Sequence, residues 1–230
     1  MSDKKINFFI IIDLALLVAA LCLINFTDLD VKIQNYFFDF ETKSWLIDKD
    51  EPIKKFIFYK FPKILLGVAI LFCLVATALG FKKKSPNRHK FFLIFLGLTL
   101  IPAIGGNIKK FTNVYCPNHL EIYGETKPYV KIFDHYPENF YQEKKAKCFP
   151  GGHAVTGFAL FILFFALQKK SHKFLGLFAG FSFGWTLGIY QMMKGAHFFG
   201  DTLVSMLACF LIAAVIARIY FQCHAEPVEA

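Results

Sequence analysis

The sequence predicts an all-α fold, an integral membrane bundle of six transmembrane helices. Two observations carry that prediction: the apolar residues come in blocks, and the basic residues gather in the gaps between alternate blocks. Of 230 residues, 56% are hydrophobic and 18% aromatic, with 30 Phe; mean hydropathy is +0.46. A spanning helix needs about 20 mostly apolar residues. Blocks near that length cover residues 6–26, 64–81, 91–108, 154–167, 174–193 and 202–220. In hydrocarbon the backbone groups must be satisfied within the segment, so each block is expected to be a helix. With no internal repeat and no low-complexity tract, residues 1–230 read as a single transmembrane domain.

The formal charge of +9 does not point to nucleic acid, because its distribution is that of a membrane protein. Lys4 and Lys5, then Lys82, Lys83, Lys84, Arg88 and Lys90, then Lys169, Lys170 and Lys173 lie between alternate blocks, as the positive-inside rule requires of cytoplasmic loops. The opposite face then carries residues 27–63, 109–153 and 194–201. The first block has a signal-peptide look, with Lys4 and Lys5, an apolar run and Val18-Ala19-Ala20. It reads better as a retained span, because the run continues through Ile24 and its loss would leave five spans. Asp13 lies inside this block; an intramembrane acid is a functional candidate by default, but near the cytoplasmic edge snorkelling or pairing with a basic loop is the plainer reading.

Three outer-face stretches hold the reactive side chains, each abutting a predicted helix. In residues 191–201, His197 and Asp201 stand four apart, so a helix starting near Gly195 turns them the same way. A carboxylate beside an imidazole fixes its tautomer and leaves the other nitrogen free; a buried polar pair joining two helices would need the same spacing. In residues 148–153, Gly151, Gly152 and His153 are expected to open the fourth helix, where free N–H groups bind anions and glycine permits close approach. The plain alternative is a loop-to-helix turn. In residues 109–117, Lys109 follows the third span directly and supplies charge at the membrane surface or merely anchors it. Lys194, three residues before His197, adds a second cation.

Together the three stretches resemble the type 2 phosphatidic acid phosphatase superfamily, whose motifs are Lys-(six residues)-Arg-Pro, Pro-Ser-Gly-His and Ser-Arg-(five residues)-His-(three residues)-Asp. Here Lys109 leads to Cys116-Pro117, Pro150-Gly151-Gly152-His153 follows, and Tyr190-Gln191 leads to His197 and Asp201. The resemblance implies that His197 is the nucleophile and forms a phosphohistidine, that Asp201 orients it, and that His153 protonates the leaving oxygen and then activates water. It implies phosphate binding by Lys109, with Gly151, Gly152, Gln191 and Lys194 around it, and neither a metal nor another cofactor. A covalent intermediate divides one hard displacement into two easier ones, and fixed donors stabilise the charge that develops.

The chain departs from the pattern where it has Cys116 and Gln191 in place of arginines and Gly151 in place of serine. Arginine grips phosphate through a bidentate fork that lysine cannot copy, so Lys110 and Lys194 would have to restore the charge and Gln191 to donate neutrally. The chain is similar to a bacterial branch with Cys-Pro, Cys-Phe-Pro-x-Gly-His and Gln-Met-x-Lys/Arg-Gly-Ala-His-Phe motifs. That places it in a bacterial inner membrane with its site facing the periplasm. The implied substrate is a membrane lipid phosphate: lipid A, undecaprenyl pyrophosphate or phosphatidylglycerol phosphate. Lipid A stands first because the acidic and aromatic loop after the first span is similar to that of lipid A 4′-phosphatases. A phosphotransferase between lipids and an inactive lipid-phosphate binder are the alternatives; a transporter would show broken helices and inverted repeats. The sequence leaves the oligomeric state open.

Of six cysteines, only Cys116 and Cys148 fall on the outer face. An oxidising periplasm admits a disulfide between them, pinning the first stretch to the second; two free thiols fit the sequence equally. A metal site built from them with His119 or His135 has no recognised spacing. In residues 27–62, the amphipathic 31–40 and aromatic-rich 56–61 segments read either as interfacial helices or as an aromatic belt.

Overall fold

The structure, a computed structural model, describes residues 3–48, 51–142 and 144–224. Its long helices are α1 (Asp3–Phe26), α3 (Pro52–Lys82), α4 (Arg88–Ile108), α6 (Lys170–Met193) and α7 (Phe199–Cys223), with a short α2 (Leu29–Gln34) and α5 (Val155–Ala166). A two-stranded antiparallel hairpin, β1 (Phe38–Asp39) and β2 (Ser44–Trp45), pairs Phe38 with Trp45 and Asp39 with Ser44. Residues 109–142 and 144–154 form a cap of 3₁₀ turns and extended chain at one end of the bundle.

Among the described residues, four helices are long and apolar enough to cross a membrane: α1, α3, α4 and α7. The remaining two predicted blocks behave differently, for separate reasons. Helix α6 has the length but carries a polar start and Gly176, Gly180, Gly184 and Gly188 at four-residue steps, which lowers its hydropathy. The fourth block is helical only over Val155–Ala166, about 18 Å at 1.5 Å per residue. Val155, Phe158, Ala159, Phe161, Ile162 and Phe165 are all buried, so this block is apolar because protein surrounds it. Such a helix need not match the hydrocarbon thickness.

Close helix contact follows from small residues. The α6 glycines receive α5: a Cβ at Gly184 would meet the Phe158 ring at 2.1 Å, and one at Gly157 would meet the Gly184 nitrogen at 2.4 Å. This is the small-residue seam that lets helices approach in a membrane. Helix α7 presents Cys209, Ala213, Ala214 and Ala217, all fully buried, and packs against α1, α4, α5 and α6. Large apolar side chains such as Phe8, Leu71, Phe72 and Phe178 point outward, as a hydrocarbon surround requires. Arg218 near the end of α7 bonds Asp3 at 2.8 Å and Asn7 at 2.9 Å, while the start of α7 meets Asp30 beyond α1. The two helices are therefore antiparallel, and the N-terminus lies at the end opposite the predicted motif residues.

Candidate active site

The loop between α6 and α7 is shaped by Gly195. Its φ of +69° ends α6 in the left-handed conformation that glycine adopts without strain. The Gly195 and Ala196 N–H groups donate back to Met192 O at 3.0 Å and Gln191 O at 2.8 Å. His197 follows, and α7 begins at once. The Asp201 carboxylate Oδ2 accepts the Phe198 N–H at 3.1 Å and contacts His197 Nδ1 at 2.9 Å. One oxygen thus caps the helix and orients the ring. Because a carboxylate only accepts, Nδ1 carries the proton, and in the neutral imidazole Nε2 keeps its lone pair.

Nε2 of His197 faces His153 Nδ1 across 3.4 Å, with ring centroids 5.6 Å apart. Two rings 44 residues apart in sequence therefore share one point, at the end of the bundle opposite Asp3. His197 and Asp201 are buried. Burial, with the Lys109 and Lys194 ammonium groups, holds His197 below the ordinary imidazole range, so it is neutral at neutral pH. Burial, repulsion between the two rings when both are protonated, and the charges of Lys194, Lys63 and Lys109 push His153 down to about 3.

Two of these cations, Lys109 and Lys194, act on both rings. A Cβ on Gly152 would lie 3.6 Å from Lys109 Nζ, and Lys194 Nζ sits 5.1 Å from the Tyr190 ring centre. Burial holds Lys194 below its ordinary value. Lys63, on the first turns of α3, is a cation that sequence reasoning did not assign. Its Nζ lies 3.9 Å over the Tyr59 ring, and that ring is 5.0 Å from His153. As one of several lysines near an apolar boundary it gave no local signal. Lys110 is exposed.

Gly151, Gly152 and His153 do not open the helix, since α5 begins at Val155. Gly151 has a different task from the expected anion contact: its N–H donates to Asp201 O at 3.0 Å, and its carbonyl accepts the Ser205 hydroxyl at 2.9 Å. It ties the second stretch to α7, so its N–H is already occupied. Gln191 is buried, and neither amide atom finds a partner among the described residues.

The Cys116 and Cys148 sulfurs are bonded at 2.14 Å, with Cα atoms 5.2 Å apart. The bridge joins the first stretch to the second, aided by Cys148 N–H donating to Val114 O at 3.0 Å and by the Thr112 hydroxyl bonding Phe149 O. Cys148 Sγ lies 3.4 Å from His197 Nδ1 and 3.7 Å from Asp201 Oδ2, so the disulfide walls the histidine–aspartate pair. Cys116, Cys148 and His197 have potential ligand atoms within 4.8 Å of one another. Bonded to each other, however, the cysteines present no thiolate, and a metal ligand must be one. Neither His119 nor His135 joins this cluster.

A family model described as the PAP2 superfamily matches residues 90–225, well over half the chain. The chain belongs to the PAP2 superfamily. The match spans all three motif stretches and leaves α1, α2, the hairpin and α3 outside it. Neither curated proteins nor solved structures give a match. PAP2 membership suggests phosphatase activity, and the four apolar helices are consistent with membrane association. Within the PAP2 pattern, both arginine positions are unfit for charge here: position 116 is held in a disulfide and position 191 is an enclosed amide. Among the described residues, Lys109 and Lys194 act on both rings and Lys63 on His153 alone.

Proposed function

We propose that the protein is a metal-independent membrane phosphatase that hydrolyses a lipid phosphate monoester or pyrophosphate through a phosphohistidine at His197. The observation that carries this reading is the run of contacts from Asp201 through His197 to His153, at 2.9 and 3.4 Å. In the first step His197 Nε2 forms a bond to phosphorus, the phosphorus–oxygen bond to the lipid breaks, and His153 passes to the leaving oxygen a proton taken from the monoanionic phosphate. In the second step His153 takes a proton from water, whose oxygen attacks phosphorus and releases His197. Asp201 stabilises the ring while it carries the phosphoryl group and is positive, as a buried carboxylate does for an imidazole base. Lys63, Lys109 and Lys194 offset the charge of the phosphoryl oxygens. An in-line displacement puts phosphorus between nucleophile and leaving oxygen, so phosphate binding must move apart the two rings, which stand 3.4 Å from each other.

The same reading places α5 and α6 across the bacterial inner membrane beside the four long helices, as six spans in one domain, with the site facing the periplasm. Lipid A, undecaprenyl pyrophosphate and phosphatidylglycerol phosphate are the substrates to test, lipid A first. The deciding experiment incubates purified protein with these lipids in EDTA, with and without His197→Ala. Phosphate release that persists in EDTA and vanishes in the variant supports the proposal. Loss of activity in EDTA rejects metal independence, and phosphate appearing on a second lipid makes the protein a phosphotransferase. Inertness toward every lipid leaves a binder.

A further inference from the structure

The segment before the PAP2 match grips the loop that carries His197 at both ends. Asp30 and Gln34 stand four apart on α2, so they share one face, and both are buried at 4% and 0% exposure. Asp30 Oδ1 accepts the Gly200 N–H, a free donor in the first turn of α7, at 2.7 Å. Gln34 Nε2 donates to Met192 O, in the last turn of α6, at 2.8 Å. Between those points the Ile47 N–H donates to Met193 O at 3.1 Å, and the Trp45 ring fills the space beside Gly195, where a Cβ would meet it at 2.3 Å. Four contacts from residues 30–47 thus bracket residues 192–200. Within the loop itself, His197 is oriented by Asp201, whose position depends on where α7 starts.

We propose that Asp30 and Gln34 are positioning residues for the phosphoryl-transfer site, bracing the His197 loop from outside the region shared with the superfamily. The proposal rests on the phosphatase reading for its kinetic consequence but not for its structural one. A side-chain brace that sets the attack geometry acts on turnover, because a misplacement of about 1 Å can cost on the order of 10²-fold.

Gln34→Leu separates positioning from stability. Gln34 Oε1 lacks a partner among the described residues, so leucine removes a buried orphan acceptor together with the Met192 tether, and the fold loses little. The expected result is an unchanged or raised melting midpoint, kcat lowered on the order of tenfold or more, and KM within about twofold of wild type. Asp30→Ala should lower kcat as far, and Asp30→Asn, which keeps an acceptor oxygen, should restore it to within about threefold. Wild-type kcat in folded Gln34→Leu, or Asp30→Asn as poor as Asp30→Ala, overturns the proposal; if Asp30→Ala does not fold, Gln34→Leu and Asp30→Asn decide. Hydrogen exchange of a peptide covering residues 194–201 gives a readout independent of substrate. Faster exchange in Gln34→Leu supports the brace, and unchanged exchange overturns it. A wild type inert on every lipid phosphate, with exchange still accelerated in the variant, counts against the phosphatase reading alone.

Discussion

His197 works as a nucleophile only while Nε2 holds a lone pair, and the Asp201 contact together with the lysine field keeps it so. The cost falls on His153, whose imidazole is pushed down to about 3 and so enters the reaction without the proton it must donate. A phosphate monoester, with its second pKa near 6, supplies that proton as a monoanion. Above about pH 6 neither partner carries it, so kcat/KM should fall about tenfold per pH unit there; a profile flat to about pH 8 would refute His153 as the acid. Lys63→Met should lower kcat/KM roughly 10- to 100-fold, the worth of one charged hydrogen bond of about 1.5–3 kcal/mol, with comparable losses for Lys109→Met and Lys194→Met. If Lys63→Met matches wild type while the other two do not, Lys63 lies outside the phosphate site.

Helix ends place these side chains. The α6 terminus turns at Gly195 because only glycine adopts φ of +69° cheaply and because the Trp45 ring occupies the space a side chain would need. Gly195→Ala should therefore cost about 1–3 kcal/mol in backbone strain plus overpacking, seen as a lower thermal midpoint and faster exchange in the loop. The α5–α6 seam is stricter still. Gly184→Leu would drive a side chain into the Phe158 ring, and a loss of monodisperse folded protein is expected on size-exclusion chromatography. Helix existence was legible in the apolar blocks. The role of α5 was not, because a residue covered by protein and one covered by lipid are equally apolar.

Across the whole molecule, the disulfide and α7 hold the bundle and its outer cap in register. Cys116 and Cys148 close a loop with a sequence separation of 32 residues, worth roughly 3–4 kcal/mol in chain entropy. Reductant, or Cys148→Ser, should lower the melting midpoint and the activity together, since the bridge touches His197; intact protein that alkylates fully without reductant would contradict the bond. Local pattern marked candidates without deciding the site. The four-residue spacing of His197 and Asp201 also fits a buried polar pair joining two helices, and the places of His153, Lys109 and Lys194 beside apolar runs also fit plain turns and anchors; only the resemblance of three stretches in register gave them roles. Hydropathy and helical period are properties of neighbouring residues, and short-range sterics enforce them wherever the segment ends up. Which helix meets which is another matter. Asp30 capping Gly200, Gln34 holding Met192, the Tyr59 ring meeting His153 and Gly151 donating its N–H to Asp201 each join segments dozens to more than a hundred residues apart. Such pairs form only when the bundle closes, and the packing of small residues along α6 and α7 sets that closure.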